Sequence, residues 1–161
     1  MNIEQKILGE MCFGEELVVL DLAAASDLEV LDQMAARMLA EGMVKESYAA
    51  AIKKRESVYA TGLELPEMGI AIPHTDPEHV NTPALCLGIL REPVSFGAMG
   101  MADQRVDVRV VFMLSIKEPH AQLKVLQALM KVFQEEGRLT ALTACATPKE
   151  AADKLRELLA G

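Results

Sequence analysis

Tryptophan is absent from this chain of 161 residues, and aromatic side chains make up only 4% of it. The core must therefore be built from leucine, valine, isoleucine, alanine and the ten methionines. Methionine fills irregular gaps, so its abundance implies packing and no cofactor. Basic runs are also missing, and the net charge is −8. That balance argues against nucleic acid or an anionic membrane surface as the main partner. No stretch approaches the roughly 18 uninterrupted apolar residues of a membrane span. The N-terminal stretch MNIEQKILGEMCFGEE carries acids and no long apolar run, so it does not read as a secretory signal. The few cysteines, Cys12, Cys86 and Cys145, are widely spaced among apolar or small residues. They read as reduced, buried thiols, neither a disulfide frame nor a zinc site. Together these absences predict a cytoplasmic protein without membrane insertion. Three common site signatures are lacking too: G-x-G-x-x-G, G-x-x-x-x-G-K-[ST] and G-x-S-x-G.

What is present fits one domain over residues 1–161, with 51% hydrophobic and 25% charged residues. Leu17–Leu22 reads as a first strand. Ser26 and Glu29 form a capping box, after which Leu28, Leu31, Ala35, Met38 and Leu39 recur at helical spacing until Gly42. A second helix is predicted from about Lys45 to Tyr59, with Tyr48, Ile52, Arg55 and Tyr59 on one stripe. A turn follows at Thr61-Gly62, and strands are predicted over GIAI, Ala84–Leu90 and Val106–Leu114. Arg91–Arg105, with two glycines and a proline among its charges, reads as a loop or lid. Pro119 opens an amphipathic helix closed by Gly137, a short helical piece follows, and Thr147 and Glu150 cap a last helix. Apolar strands mixed with amphipathic helices predict a three-layer α/β/α sandwich, a mixed sheet with helices on both faces.

The candidates for chemistry are His74, His79 and His120. His74 ends the apolar stretch GIAIPH, where a buried strand runs into a polar turn and Pro73 stiffens the backbone before it. It reads either as a strand-end residue bonded to backbone or as a neutral nucleophile on a rigid mount. His120 stands in a helix N-terminal turn, which favours an anion over a cationic imidazole. It reads either as a ring against the core or as an N–H donor to a bound phosphoryl group. Arg55 reads as a snorkelling side chain, as the partner of Glu56 or Glu64, or as a phosphate clamp. His74, Asp76 and His79 have the look of a metal set, but their spacing matches no common zinc pattern.

The stretch RESVYATGLELPEMGIAIPHTD, with His120, Leu123 and Leu126 beyond it, resembles the fructose/mannitol-type enzyme IIA domains of the bacterial phosphoenolpyruvate-dependent sugar phosphotransferase system. The longer segment before Gly69 and the Thr75-Asp76 pair after the histidine point to the galactitol-specific subgroup. The resemblance covers nearly the whole chain. It implies a phosphocarrier in which His74 takes the phosphoryl group, His120 stabilises it and Arg55 is a supporting cation. No family role falls on His79. The implied donor is the phosphorylated histidine-containing phosphocarrier protein, and the implied acceptor is a sugar-specific IIB component. Neither metal nor dissociable cofactor is implied. A regulatory module of the same fold, and a small metal-dependent hydrolase using His74, Asp76 and His79, are the alternatives.

Overall fold

A computed structural model describes residues 6–8 and 11–160; the N-terminal stretch read above lies partly outside them. A seven-stranded mixed sheet organises the chain. Its longest strands are β6, Ala84–Ala98, and β7, Met101–Ser115, paired antiparallel from Ala84↔Ser115 to Ala98↔Met101. This hairpin corrects the loop expected at Arg91–Arg105. Val94 and Phe96 are buried on β6 and Val106 and Val108 on β7, alternating with exposed Ser95, Arg105 and Asp107. A period of two under a coat of charge is a half-buried hairpin. Pro93 falls in the register irregularity between Ile89 and Val94, where its missing N–H costs no ladder bond. The turn closes through Gly100, whose φ of 78° is left-handed. Outward charges find surface partners, as where Arg91 bonds Asp21 at 2.9 Å.

Strand β3, Val18–Leu22, runs parallel to β6. So does β2, Met11–Cys12, which pairs with β1, Lys6–Ile7. The predicted turn at Thr61-Gly62 is instead the entry to β4, Gly62–Glu64. β4 forms a short hairpin with β5, Gly69–Ala71, and β5 runs parallel to β7. Strands of two or three residues are too short for a period to declare itself. The sequence did contain one hint, since a side chain at Gly69 would collide with the Asp107 carbonyl of β7.

Helices cover both faces. Leu87 pairs with Phe112 and Gly88 with Val111, so these pairs point to opposite sides. On the Gly88 side lies α1, Asp27–Ala40, whose Met34 sulfur would stand 2.6 Å from any Cβ added at Gly88. On the other side Phe133 of α3, Pro119–Phe133, stacks on Phe112 with centroids 5.0 Å apart. The predicted α1 stripe is out of phase: Leu28 and Leu39 are exposed, and Val30 and Met34 are buried with Leu31, Ala35 and Met38. Ser26 caps α1 by accepting from the Glu29 N–H. Beside α1 packs α2, Tyr48–Val58, and the chain ends in α4, Arg138–Thr143, and α5, Pro148–Ala160. Thr147 caps α5 by accepting from the Glu150 N–H at 3.1 Å. Among the described residues, no helix is long and apolar enough to cross a membrane.

Candidate active site

The mount of His74 is fixed atom by atom. β5 carries the buried residues Ile70 and Ala71, and Ile72 and Pro73, also buried, follow it. The Ile72 N–H donates to Thr61 Oγ1 at 3.1 Å, and the Pro73 carbonyl accepts from the Leu114 N–H of β7 at 2.9 Å. The Leu114 carbonyl is held in turn by the buried Tyr48 hydroxyl at 2.6 Å. Backbone bonded from both sides cannot drift, which is what a positioned side chain needs.

His74 is only 9% exposed. Its Nδ1 lies 2.9 Å from the Ile72 carbonyl oxygen, which can only accept, so Nδ1 carries the proton. Nε2 is therefore left with its lone pair. Burial holds the pKa below the ordinary histidine value, and the Arg55 charge pushes the same way. The bond to Ile72 and the Asp76 charge oppose this without reversing it. A neutral imidazole with a defined tautomer and a free in-plane pair at Nε2 is a nitrogen nucleophile.

Behind this mount stands a second buried ionisable group. Glu56 of α2 is 6% exposed, and its carboxylate accepts from the Thr61 N–H at 2.8 Å and the Thr61 hydroxyl at 2.9 Å. Burial pushes its pKa up to about 7, against the pull of the Thr61 donors. Glu56, Thr61, Ile72 and His74 thus form one hydrogen-bonded chain that ends at the Nδ1 proton of His74.

Arg55, the residue before, faces the other way. Its guanidinium lies 4.3 Å from the centre of the Tyr59 ring, and its buried Nε has no hydrogen-bond partner. Neither Glu56 nor Glu64 pairs with it; the oxygens of Glu56 serve Thr61. Arg55, Lys54, Tyr59, Thr75, Asp76 and His79 line an open cleft of about 350 Å³. A permanent cation on the cleft wall, near enough for its charge to act on the neutral His74, suits a transferable group that brings negative charge.

Of the remaining sequence candidates, His79 is tied to Ser47 Oγ at 2.8 Å and stands 3.7 Å from Glu78. No group of three or more metal-ligating side chains gathers among the described residues. His120 is exposed in the first turn of α3, where no hydrogen bond or ion pair among the described residues holds it. The α3 side chain that reaches His74 is Gln122, whose amide nitrogen lies 2.6 Å from Nε2. Sequence reasoning missed Gln122 and the Glu56–Thr61 pair. Glu56 entered only as a candidate partner of Arg55 and Thr61 only as a turn residue, whereas Gln122 gave no signal beyond lying two residues after His120.

Residues 11–157 match the family model for the phosphoenolpyruvate-dependent sugar phosphotransferase system, EIIA 2. The galactitol-specific EIIA component of Escherichia coli K12 is 34% identical over 107 residues, which are 66% of this chain and 71% of that one. The transcriptional regulator ManR of Bacillus subtilis is 29% identical over 121 residues, 74% of this chain but 17% of that one. Among solved structures, the complex of enzyme IIA-mannitol with phosphorylated enzyme IIB-mannitol from Escherichia coli aligns with a TM-score of 0.71 at 25% identity, covering 92% of this chain and 97% of that one. The chain belongs to the EIIA 2 family of the phosphoenolpyruvate-dependent sugar phosphotransferase system, whose members are phosphotransferases that work through a phosphohistidine.

Proposed function

We propose that this protein is a cytoplasmic phosphocarrier that takes a phosphoryl group on His74 Nε2 and passes it to a IIB component serving galactitol or a similar polyol. The donor is the phosphorylated histidine-containing phosphocarrier protein. The observation that carries the reading is the bond from His74 Nδ1 to the Ile72 carbonyl, which leaves Nε2 as the nucleophile. The Nε2 lone pair forms the new N–P bond while the donor's N–P bond breaks and its electron pair returns to the donor imidazole. No proton has to leave His74, because Nε2 never carried one. Positioning and charge stabilisation do the rest, and the transfer asks for no metal or cofactor. Arg55 supplies counter-charge from the cleft, and His120 meets the group or its carrier at the exposed start of α3. The 34% identical galactitol-specific relative supports the polyol, and the likeness to a IIA in complex with its IIB supports the acceptor.

The similarity to ManR favours a second reading, in which phosphorylation of His74 controls a partner and feeds no transport. Intact mass after incubation with phosphoenolpyruvate, enzyme I and the phosphocarrier protein tests the first step. One acid-labile, base-stable phosphoryl group is expected on the wild type and none on His74→Gln. A His74→Gln protein that still gains the group places the nucleophile elsewhere. Transfer to a panel of IIB proteins then separates a carrier from a regulatory module.

A further inference from the structure

We propose that Gln122 is a catalytic residue for the transfer at His74: its amide N–H covers the nucleophilic lone pair at rest and moves onto the phosphoryl oxygens when the group arrives. This rests on the phosphocarrier reading above. Because Nδ1 spends its proton on Ile72, Nε2 is purely an acceptor. A side-chain amide 2.6 Å from such an atom can only present its N–H end. The contact spans 48 residues of sequence and joins two separate elements, the strand-end mount and α3. It is therefore a tertiary feature and not a local turn.

An imidazole nitrogen has one in-plane pair. It cannot accept the Gln122 N–H and form an N–P bond along the same axis, so the amide has to move before attack. Gln122 is only half-buried and sits on a long, rotatable side chain, which leaves it room to do so. Once the group is seated, its oxygens are acceptors carrying negative charge close to where Nε2 stood. The same N–H then meets a charged acceptor, and that bond is stronger than the one it gave up. The interaction is worth more after the group arrives than before, which is the condition for accelerating the step. At rest the amide also keeps protons and water off the pair, adding to what burial and Arg55 do for the neutral ring.

The test uses the full chain with 15N-labelled histidine, as wild type, Gln122→Glu and Gln122→Ala. Glutamate keeps the size but has no N–H, and its carboxylate favours His74 protonated at Nε2; alanine removes the contact. The first arm is an NMR titration of His74 without any phosphoryl donor. Its midpoint should move upward in both variants, further in Gln122→Glu. An unmoved His74 in both variants shows that the contact is not made and overturns the proposal. The second arm is single-turnover acceptance from the phosphorylated phosphocarrier protein, expected to slow about 10- to 100-fold in Gln122→Ala and more in Gln122→Glu. Rates within twofold of wild type alongside a shifted titration would make Gln122 a resting-state contact and overturn its catalytic role. Wild type that takes no phosphoryl group at all overturns the underlying reading and the transfer half of this proposal, while the first arm still judges the contact.

Discussion

Arg55 and Glu56 are neighbours in one helix and are treated in opposite ways. Glu56 turns inward, is almost fully buried, and both its oxygens accept from Thr61. Arg55 turns toward the cleft, lies over Tyr59, and keeps a buried Nε without a partner. The carboxylate belongs to the scaffold, since the bonds it makes all go to Thr61, which holds Ile72 and hence His74. The cation opens instead onto the cleft. A buried donor without a partner costs free energy, and since Arg156 Nε shares that state, it is the open cleft that sets Arg55 apart. Polar satisfaction and access to the cleft thus sort two adjacent side chains into support and site.

The largest expected effect lies on the support side. Glu56→Ala should destabilise the fold by about 3 kcal/mol, because it opens a cavity and leaves the buried Thr61 N–H unpaired. Chemical denaturation reads this directly. Should Glu56→Ala prove as stable as wild type, the carboxylate does not hold the mount.

Glu56→Gln sharpens the same point, because it keeps the shape and a partner for each Thr61 donor and acceptor but cannot ionise. The folded-state pKa of Glu56 is raised from 4.5 to about 7, so in that interval the folded chain binds more protons than the unfolded one. Its contribution is complete below 4.5 and is lost as pH rises to about 7, a swing of about 3 kcal/mol. His74 runs the other way. Its pKa is lowered from 6.5, so its contribution is complete above 6.5 and is lost as pH falls below that value. Between pH 4.5 and about 7 the wild type should lose unfolding free energy relative to Glu56→Gln as pH rises, because only the wild type carries the Glu56 contribution. Parallel curves would mean that Glu56 is ionised with little penalty.

How much of this could be read from the chain depends on how local each signal is. The strand end that carries His74 was legible, because GIAI followed by Pro-His is an apolar run broken by a stiff residue. The two-sided layering was legible from the mixture of strands and amphipathic helices. Arg91–Arg105 was misread because charge on the outward positions of a hairpin hides the alternation of Val94, Phe96, Val106 and Val108 beneath it. The α1 stripe slipped in phase because Leu28 and Leu39 are apolar yet face solvent. Gln122 and Thr61 were invisible as site residues for a deeper reason. Each acts through one contact that only the tertiary fold creates, and neither residue type carries a pattern.

On the cleft side, Arg55→Lys should leave stability within about 1 kcal/mol, since lysine retains the charge and much of the contact with Tyr59. Transfer should slow about tenfold, because an ammonium cannot grip two phosphoryl oxygens with a planar fork. Single-turnover acceptance and melting temperature on the same preparation separate the two quantities. Unchanged transfer with lowered stability would move Arg55 into the scaffold beside Glu56, and the contrast between them would collapse.

The smallest effect is expected at His120. From sequence it was either a ring packed on the core or an N–H donor to the phosphoryl group, and these predicted opposite outcomes for His120→Ala. Its exposure argues against the first, since truncating an exposed side chain opens no buried cavity. Stability should therefore change by no more than about 0.5 kcal/mol. The second reading weakens without disappearing, because Gln122 and not His120 touches Nε2 in the resting molecule. A donor already aimed at the reacting group is worth about 100- to 1000-fold, whereas one that must swing in from solvent is worth less. His120→Ala should accordingly slow acceptance or onward transfer by about tenfold at most. A loss of 100-fold or more would mean that docking brings His120 onto the phosphoryl group, and it would reverse the order of the two α3 residues. A wild-type rate would leave His120 outside the transfer and Arg55 as the principal cation of the site.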